Sequence, residues 1–292
     1  MLGKLLKHEF KAVNRLMIPL HLGLIVITIV GRFYVQFVMN RTHVDYSNYT
    51  LRMWEGLMDV LLISAYVIAL IAIFIITWLY LDILRFRKNL FTDEGYLMHT
   101  LPASASEHIA AKLTVSTVWQ IADGFLIGLS VFAMVANKGF LQEFGIVWRD
   151  LWGSFSEIFG VPAVVGVPAF LLMGLVDVMA GTLIIYMCIA IGHSLNSHKI
   201  LASIGIYLGY KMVSNFFISI LSVLTGFGSF GNYNMSTIFF GFSNYNSVSH
   251  YGMSEAGRFW LNVGFSTILS LVIGVAAFVL INHFMTKRLN LE

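Results

Sequence analysis

Charged side chains are scarce in this sequence, since Asp, Glu, Lys and Arg together make up only 11% of its 292 residues. A soluble domain of ordinary composition carries about 25% of these residues. The shortage therefore excludes a typical soluble protein. Cysteine is scarcer still, because Cys188 is the only one, and no disulfide can form within the chain.

Motifs that carry catalysis or cofactor binding are also missing. The sequence has no HExxH metal pair, no GxSxG nucleophile turn and no GxxxxGK[ST] phosphate loop. His193 and His198 are five residues apart, which is poor spacing for two metal ligands on one helix face. We therefore expect a chain that is not catalytic by itself and that binds no ATP, metal or other cofactor of its own.

Long apolar stretches are what the sequence has in abundance, with 58% hydrophobic residues and a mean hydropathy of +0.80. A helix needs about 20 apolar residues to cross the ~30 Å hydrocarbon core of a bilayer. Helices and closed barrels are the structures that satisfy the backbone in lipid, and the alternation typical of barrel strands is absent. The sequence predicts an all-α membrane protein in one transmembrane domain, with spans at residues 16–39, 57–81, 109–135, 165–192, 200–225 and 261–284.

Lys and Arg residues near the ends of the spans predict the orientation. With a cytoplasmic N-terminus, the inner side carries more basic residues than the outer side and both termini lie inside. The inner residues are Lys4, Lys7, Lys11, Arg15, Arg85, Arg87, Lys88, Lys112, Lys199, Lys287 and Arg288. The outer residues are Arg32, Arg41, Arg52, Lys138, Arg149 and Arg258. The net charge of +3 suits lipid headgroups and requires no nucleic-acid partner.

Two segments outside the spans have amphipathic patterns. Residues 2–10 alternate leucines with lysines at helical spacing, which predicts an interfacial helix along the inner surface before the first span. Residues 140–159 place aromatic and aliphatic side chains on one helix face, including Trp148 and Trp152. This second segment fits an interfacial helix on the outer leaflet or a lid packed on the bundle, and the pattern does not separate the two.

The polar segment between the second and third spans, residues 82–112, is the main structured element that the chain offers to a soluble partner. Basic residues open it, and a short amphipathic stretch follows at residues 92–100. Pro102 ends that stretch, and a Ser-x-x-Glu capping box at Ser104 and Glu107 starts the next helix.

Three ionisable residues lie deep within predicted spans: Asp123 in the third, Asp177 in the fourth and Lys211 in the fifth. An exposed charge at that depth costs at least about 2.5–3.5 kcal/mol, so we expect all three to face the bundle interior as one polar cluster. Asp177 and Lys211 are the favoured pair, because consecutive helices joined by a short loop are usually neighbours. The cluster fits a translocation path or a structural ion pair.

The order of these parts resembles the membrane subunits of bacterial ABC-2-type exporters: a surface helix, six spans, a structured inner loop between the second and third spans, and an elaborate outer segment before the sixth. The inner loop is also similar to a run common in Firmicutes permeases of this group, here Asp93-Glu94-Gly95-Tyr96-Leu97-Met98-His99-Thr100-Leu101-Pro102. The overall order covers the whole chain, whereas the motif covers about ten residues.

The resemblance implies a permease in the cell membrane that is driven by two copies of a separately encoded cytoplasmic ABC ATPase, which binds the ATP and magnesium. It implies a second permease chain, identical or homologous, and export of an amphipathic cargo, with a peptide favoured over a lipid or drug. The inner loop would be the coupling helix that docks on the ATPase, through Asp93, Glu94, Tyr96, Leu97, Thr100 and Leu101. The alternative for these residues is that they only anchor the loop to lipid, and the alternative function is a membrane sensor or scaffold that moves no cargo.

Overall fold

A computed structural model of the chain describes residues 1–40, 49–92, 95, 103–195, 198–225 and 255–287. These residues are helical almost throughout and include no strand. The helices run in the order α1 Leu2–Asn40, α2 Tyr49–Trp78, a π-helical segment Leu79–Leu84, α3 Arg85–Phe91, α4 Ala105–Val135, α5 Lys138–Phe159, α6 Ala163–His193, α7 Lys199–Thr225 and α8 Glu255–Lys287.

Six of these helical stretches are long and apolar enough to cross a membrane. They are Leu2–Phe37, Gly56–Phe91, Ala105–Val135, Ala163–His193, Lys199–Phe217 and Phe259–Lys287. Each one overlaps a predicted span, so the all-α fold with six spans is confirmed.

The chain divides into two compact units, and the first comprises Met1–Phe86 and Pro102–Gly145. Within it, α1 packs along α4, and α2 contacts both of these helices. Val13, Met17, Leu81 and Val115 form a buried apolar cluster where α1, the π-helical segment and α4 meet. The first unit is therefore a three-helix assembly built around the α1–α4 contact.

The N-terminal amphipathic segment differs from its prediction. It is not a separate surface helix, because the helix runs without interruption from Leu2 to Asn40, through Pro19. Leu6 and Phe10 pack against the buried apolar cluster, and Glu9 is only 3% exposed. The apolar face of this segment thus continues the buried face of the first span, and it packs on protein.

The second unit comprises Arg87–Leu101 and Ile146–Glu292. Within it, α6 packs against both α7 and α8. A small-residue crossing brings α6 and α8 together, because a Cβ added at Gly274 would lie 3.3 Å from the Ala180 Cβ. α6 is therefore the central helix of this unit.

The outer helix α5 combines features of both structures proposed for residues 140–159. At its end, Phe155 and Phe159 join an aromatic cluster with Phe170, and the Phe159 carbonyl accepts a 2.6 Å hydrogen bond from Trp260 Nε1. Trp148 and Leu151, by contrast, are about half exposed. Phe140 and Phe144 pack on Phe132 of α4, so the helix contacts protein at both ends and presents an apolar face between them.

Candidate functional site

A buried charge cluster, the inner clamp, lies in the first unit and consists of Glu9, Arg85 and Lys112. Glu9 Oε2 accepts hydrogen bonds from Arg85 Nε at 2.8 Å and Nη2 at 2.6 Å. Glu9 Oε1 accepts a third from Lys112 Nζ at 2.8 Å. Glu9 and Lys112 side chains are each 3% exposed, so the clamp is a desolvated, hydrogen-bonded set of charges. It joins α1 to α3 and to α4, the helices on the two sides of residues 92–104, which we call the inner loop.

A second buried acid, Asp82, lies in the π-helical segment and is 1% exposed. Gln120 Nε2 donates to its two carboxylate oxygens at 2.9 and 3.0 Å, and the Ser116 hydroxyl also donates to it. π-helical turns inside longer helices are frequent at functional sites. In this protein the π-helical segment extends the second span beyond Asp82, where the sequence predicts that the polar segment begins.

Asp123 is buried, as predicted, but its partner is a residue that the sequence did not indicate. His21 Nε2 lies 3.0 Å from Asp123 Oδ1, and the two side chains are 6% and 3% exposed. The other ring nitrogen of His21, Nδ1, lies 2.7 Å from the Met17 carbonyl oxygen. The Trp119 ring packs against His21, with ring centroids 5.3 Å apart.

Two further polar contacts join α1 to the outer half of α4. The Thr28 and Ser130 hydroxyls are 2.6 Å apart, and the Tyr66 hydroxyl of α2 lies 2.6 Å from the same Ser130 oxygen. Beyond them, Arg32 donates to the Met134 carbonyl at 3.3 Å and to the Ala136 carbonyl, at the end of α4. The Arg32 guanidinium thus satisfies carbonyls that a helix C-terminus leaves unpaired.

Together these contacts form a polar seam between α1 and α4, defined by the pairs Glu9–Lys112, His21–Asp123, Thr28–Ser130 and Arg32–Met134. The sequence separation of each pair is 102 or 103 residues, and a constant separation means that the two helices run parallel in fixed register. From Glu9 to Arg32 the seam extends about 35 Å at 1.5 Å per residue. That length is close to the ~30 Å hydrocarbon thickness of a bilayer.

Two members of the predicted cluster of intramembrane charges, Asp177 and Lys211, lie in the second unit. Asp177 lies near the Ser270 hydroxyl of α8, and Lys211 Nζ lies 5.7 Å from the centre of the Tyr207 ring. No ion pair joins Asp177 to Lys211 among the salt bridges of the described residues. Measured from the turn between α6 and α7, Asp177 is about 24 Å away and Lys211 about 18 Å. Both side chains are exposed in the described part of the chain, and their depths differ by about one helical turn, so the three-residue cluster stays a prediction.

In the second unit, His193 at the end of α6 contacts the helical residues that precede the inner loop. His193 Nδ1 lies 2.9 Å from the Ile189 carbonyl, and Arg87 Nε donates to His193 Nε2 at 3.2 Å. Since a carbonyl only accepts, Nδ1 carries the ring proton and Nε2 is the acceptor, so this imidazole is neutral. Phe91 packs on the same ring, with centroids 5.1 Å apart.

The predicted coupling residues Asp93, Glu94, Tyr96, Leu97, Thr100 and Leu101 lie outside the described residues. The segment before the sixth span, residues 226–251, lies outside them as well. Gly95, which is described, is buried, and a Cβ there would lie 2.6 Å from the Leu90 carbonyl oxygen. The predicted capping box is confirmed: Ser104 Oγ accepts from the Glu107 amide at 3.3 Å, and Glu107 Oε2 accepts from the Ser104 amide at 3.0 Å.

Sequence reasoning missed the residues that hold the seam together, above all Glu9, His21 and Asp82. A signal for Glu9 was present, since it is the single acid in an N-terminal stretch rich in lysine. Within the described ranges, no group of three His, Cys, Asp or Glu side chains is placed to hold a metal ion.

Comparison with protein-family models, with curated proteins and with solved structures finds no match for this chain.

Proposed function

We propose that the protein is the permease subunit of an ABC exporter, driven by a separately encoded ATPase that binds the ATP and magnesium. The observation that carries this proposal is the inner clamp. Glu9 bonds both Arg85, before the inner loop, and Lys112, after it. Buried ion pairs thus connect the residues on both sides of the loop to the first span. Through these contacts, a movement of the loop would be transmitted to the first span.

The polar seam explains how such a force would travel. Its four paired layers join α1 to α4 from the inner clamp to the outer end of α4. Buried hydrogen-bonded groups resist sliding, because a shift of one helical turn would leave each of them unpaired in an apolar interior. α1 and α4 would therefore move as one body when the ATPase pulls on the loop.

The junction between the loop and α4 supports the same mechanism. Ser104 and Glu107 satisfy each other's backbone amides and fix the first turn of α4. Motion of the preceding coupling residues would then reorient α4, since a capped first turn does not fray. Tyr96, Leu97 and Leu101 are the apolar side chains that we assign to the ATPase groove.

The remaining parts of the proposal follow from the family resemblance. Two ATPase copies would act from the cytoplasmic side of the plasma membrane, where both termini of the chain also lie. A second permease chain would complete the path for an amphipathic cargo, for which we favour a peptide. Exposed glycines on α7, Gly205 and Gly209, offer a face on which a second chain could pack closely.

Co-purification with the products of the neighbouring genes, followed by an ATPase assay, tests the proposal. We expect the double variant Tyr96→Asp with Leu97→Asp to insert normally but to lose ATPase association and cargo-stimulated hydrolysis. The control is Leu195→Asp, which places one such charge at an exposed leucine of the α6–α7 turn. Unchanged association in the double variant would contradict the assignment of the loop, and a partner kinase with no ATPase would favour the sensor or scaffold function.

A further inference from the structure

The His21–Asp123 pair has a hydrogen-bonding geometry that fixes how many protons it carries. The Met17 carbonyl can only accept, so His21 Nδ1 must be protonated to form its 2.7 Å contact. The 3.0 Å contact between His21 Nε2 and Asp123 Oδ1 then needs one more proton between them. Without that proton, two lone pairs would face each other at hydrogen-bond distance. The geometry is the same whether the proton belongs to the imidazolium or to the carboxylic acid.

The surroundings of the pair have unused hydrogen-bonding capacity. The Thr77 hydroxyl lies beside the Asp123 carboxylate without a well-formed hydrogen bond to any described residue, and it is 1% exposed. Trp119 Nε1, on the ring that packs against His21, is also buried and likewise lacks a described partner. Buried polar groups with no protein partner commonly bind ordered water.

We propose that His21 and Asp123 form a proton-binding site in the membrane region of the first unit, with Thr77 and Trp119 as the polar groups that hold water beside it. The ligand is a single proton, which occupies the bond between Nε2 and Oδ1. Its loss leaves a buried net negative charge, and the gain of a second proton leaves a buried net positive charge. Either change is costly because no countercharge among the described residues contacts the pair.

The neighbouring ionisable groups along the seam are engaged elsewhere. On the inner side, Asp82 is bonded to Ser116 and Gln120, and the inner clamp balances one Glu with Arg85 and Lys112. On the outer side, Tyr66 bonds Ser130. The proton between His21 and Asp123 is therefore shared by these two side chains alone, and no other described ion pair depends on it.

Infrared spectroscopy of the purified protein in phosphatidylcholine nanodiscs, recorded across a pH series, tests this site. We expect wild type to show a coupled carboxyl and imidazole change that Asp123→Asn removes. Asparagine is the matched isostere at this position, because its amide can donate to His21 Nε2 and keep the hydrogen bond without a shared proton. Asp177→Asn, which changes an Asp of the second unit, is the control and should leave that change intact.

The pH dependence of the melting temperature gives a second readout. Wild type should be most stable at intermediate pH and lose stability on both sides, whereas Asp123→Asn should show a flatter profile. If Asp123→Asn does not fold, the double variant His21→Gln with Asp123→Asn supplies a neutral amide pair for the same comparison. A wild-type signal that persists in these variants, or the absence of any such signal in wild type, overturns the proposal. The test needs neither an ATPase nor a cargo, so it is independent of the proposed transport function.

Discussion

Three buried acids, Glu9, Asp82 and Asp123, form most of the polar contacts between helices of the first unit. The sequence predicts some of these buried acids, but it does not predict their partners. Depth within a span identified Asp123 as an interior residue, and the structure agrees. Its partner, His21, is 102 residues away in sequence, and no local pattern specifies a contact of that range. The burial of Glu9 was not predicted, because the neighbouring lysines indicate a helix on the membrane surface. The Glu9 side chain is nevertheless buried.

Glu9 should be the most sensitive residue of the inner clamp. Glu9→Leu leaves both Arg85 and Lys112 without their carboxylate, and breaking a buried ion pair in this way costs about 3–5 kcal/mol. Lys112→Met should cost less, because Glu9 keeps its two hydrogen bonds to Arg85. Denaturant unfolding in detergent measures both.

Lys11→Met is the matched control, since Lys11 is an exposed residue of the same helix. A surface substitution of this kind should change the unfolding free energy by less than about 0.5 kcal/mol. Equal costs for Glu9→Leu and Lys11→Met would show that the clamp does not stabilise the protein.

At the scale of helices, apolar run length predicted all six spans but not where the helices end. α1 begins at Leu2, well before the predicted span, and the second helical stretch continues to Phe91 through polar residues. Polarity suggested a loop there, but Asp82 and Arg85 are satisfied by side chains of neighbouring helices. Hydropathy averages over a window and does not record such pairing, so the π-helical segment and α3 were not predicted.

The contact between α6 and α7 offers a test at this scale. A Cβ added at Gly192 would lie 2.7 Å from the Ser203 amide nitrogen and 2.8 Å from its Cα. Alanine normally favours a helix by about 1 kcal/mol over glycine, yet Gly192→Ala should destabilise the protein because backbone atoms must shift. We expect a lower melting temperature for this variant.

Gly205→Ala is the control for that measurement. A Cβ at Gly205 meets nothing within 4 Å among the described residues, so the helix preference of alanine should act alone. A melting temperature that is equal or higher for Gly192→Ala would mean that α6 and α7 are not in this close contact.

For the whole molecule, each compact unit contains three of the six spanning helices: α1, α2 and α4 in the first, and α6, α7 and α8 in the second. The sequence contains no signal for this division, because it arises from contacts between distant helices. It does contain two glycine pairs at GxxxG spacing, which lets helices approach closely: Gly124 with Gly128 and Gly205 with Gly209. All four glycines have nothing within 4 Å of an added Cβ in the described part of the chain, so the described helices do not use these close-approach faces.

The proposed permease pair predicts that the exposed face of α7 contacts a second chain. Cys188 is the only cysteine, so Cys188→Ser gives a cysteine-free background in which Gly209→Cys introduces one reactive thiol. If the second permease chain is identical, oxidative crosslinking in membranes should trap a dimer through this thiol. Ala277→Cys is the control, because Ala277 is 1% exposed within its own chain and should give no dimer. Exclusive crosslinking to a homologous permease would instead identify a heterodimer, whereas a functional complex with a single permease chain, measured by native mass spectrometry, would contradict the pair.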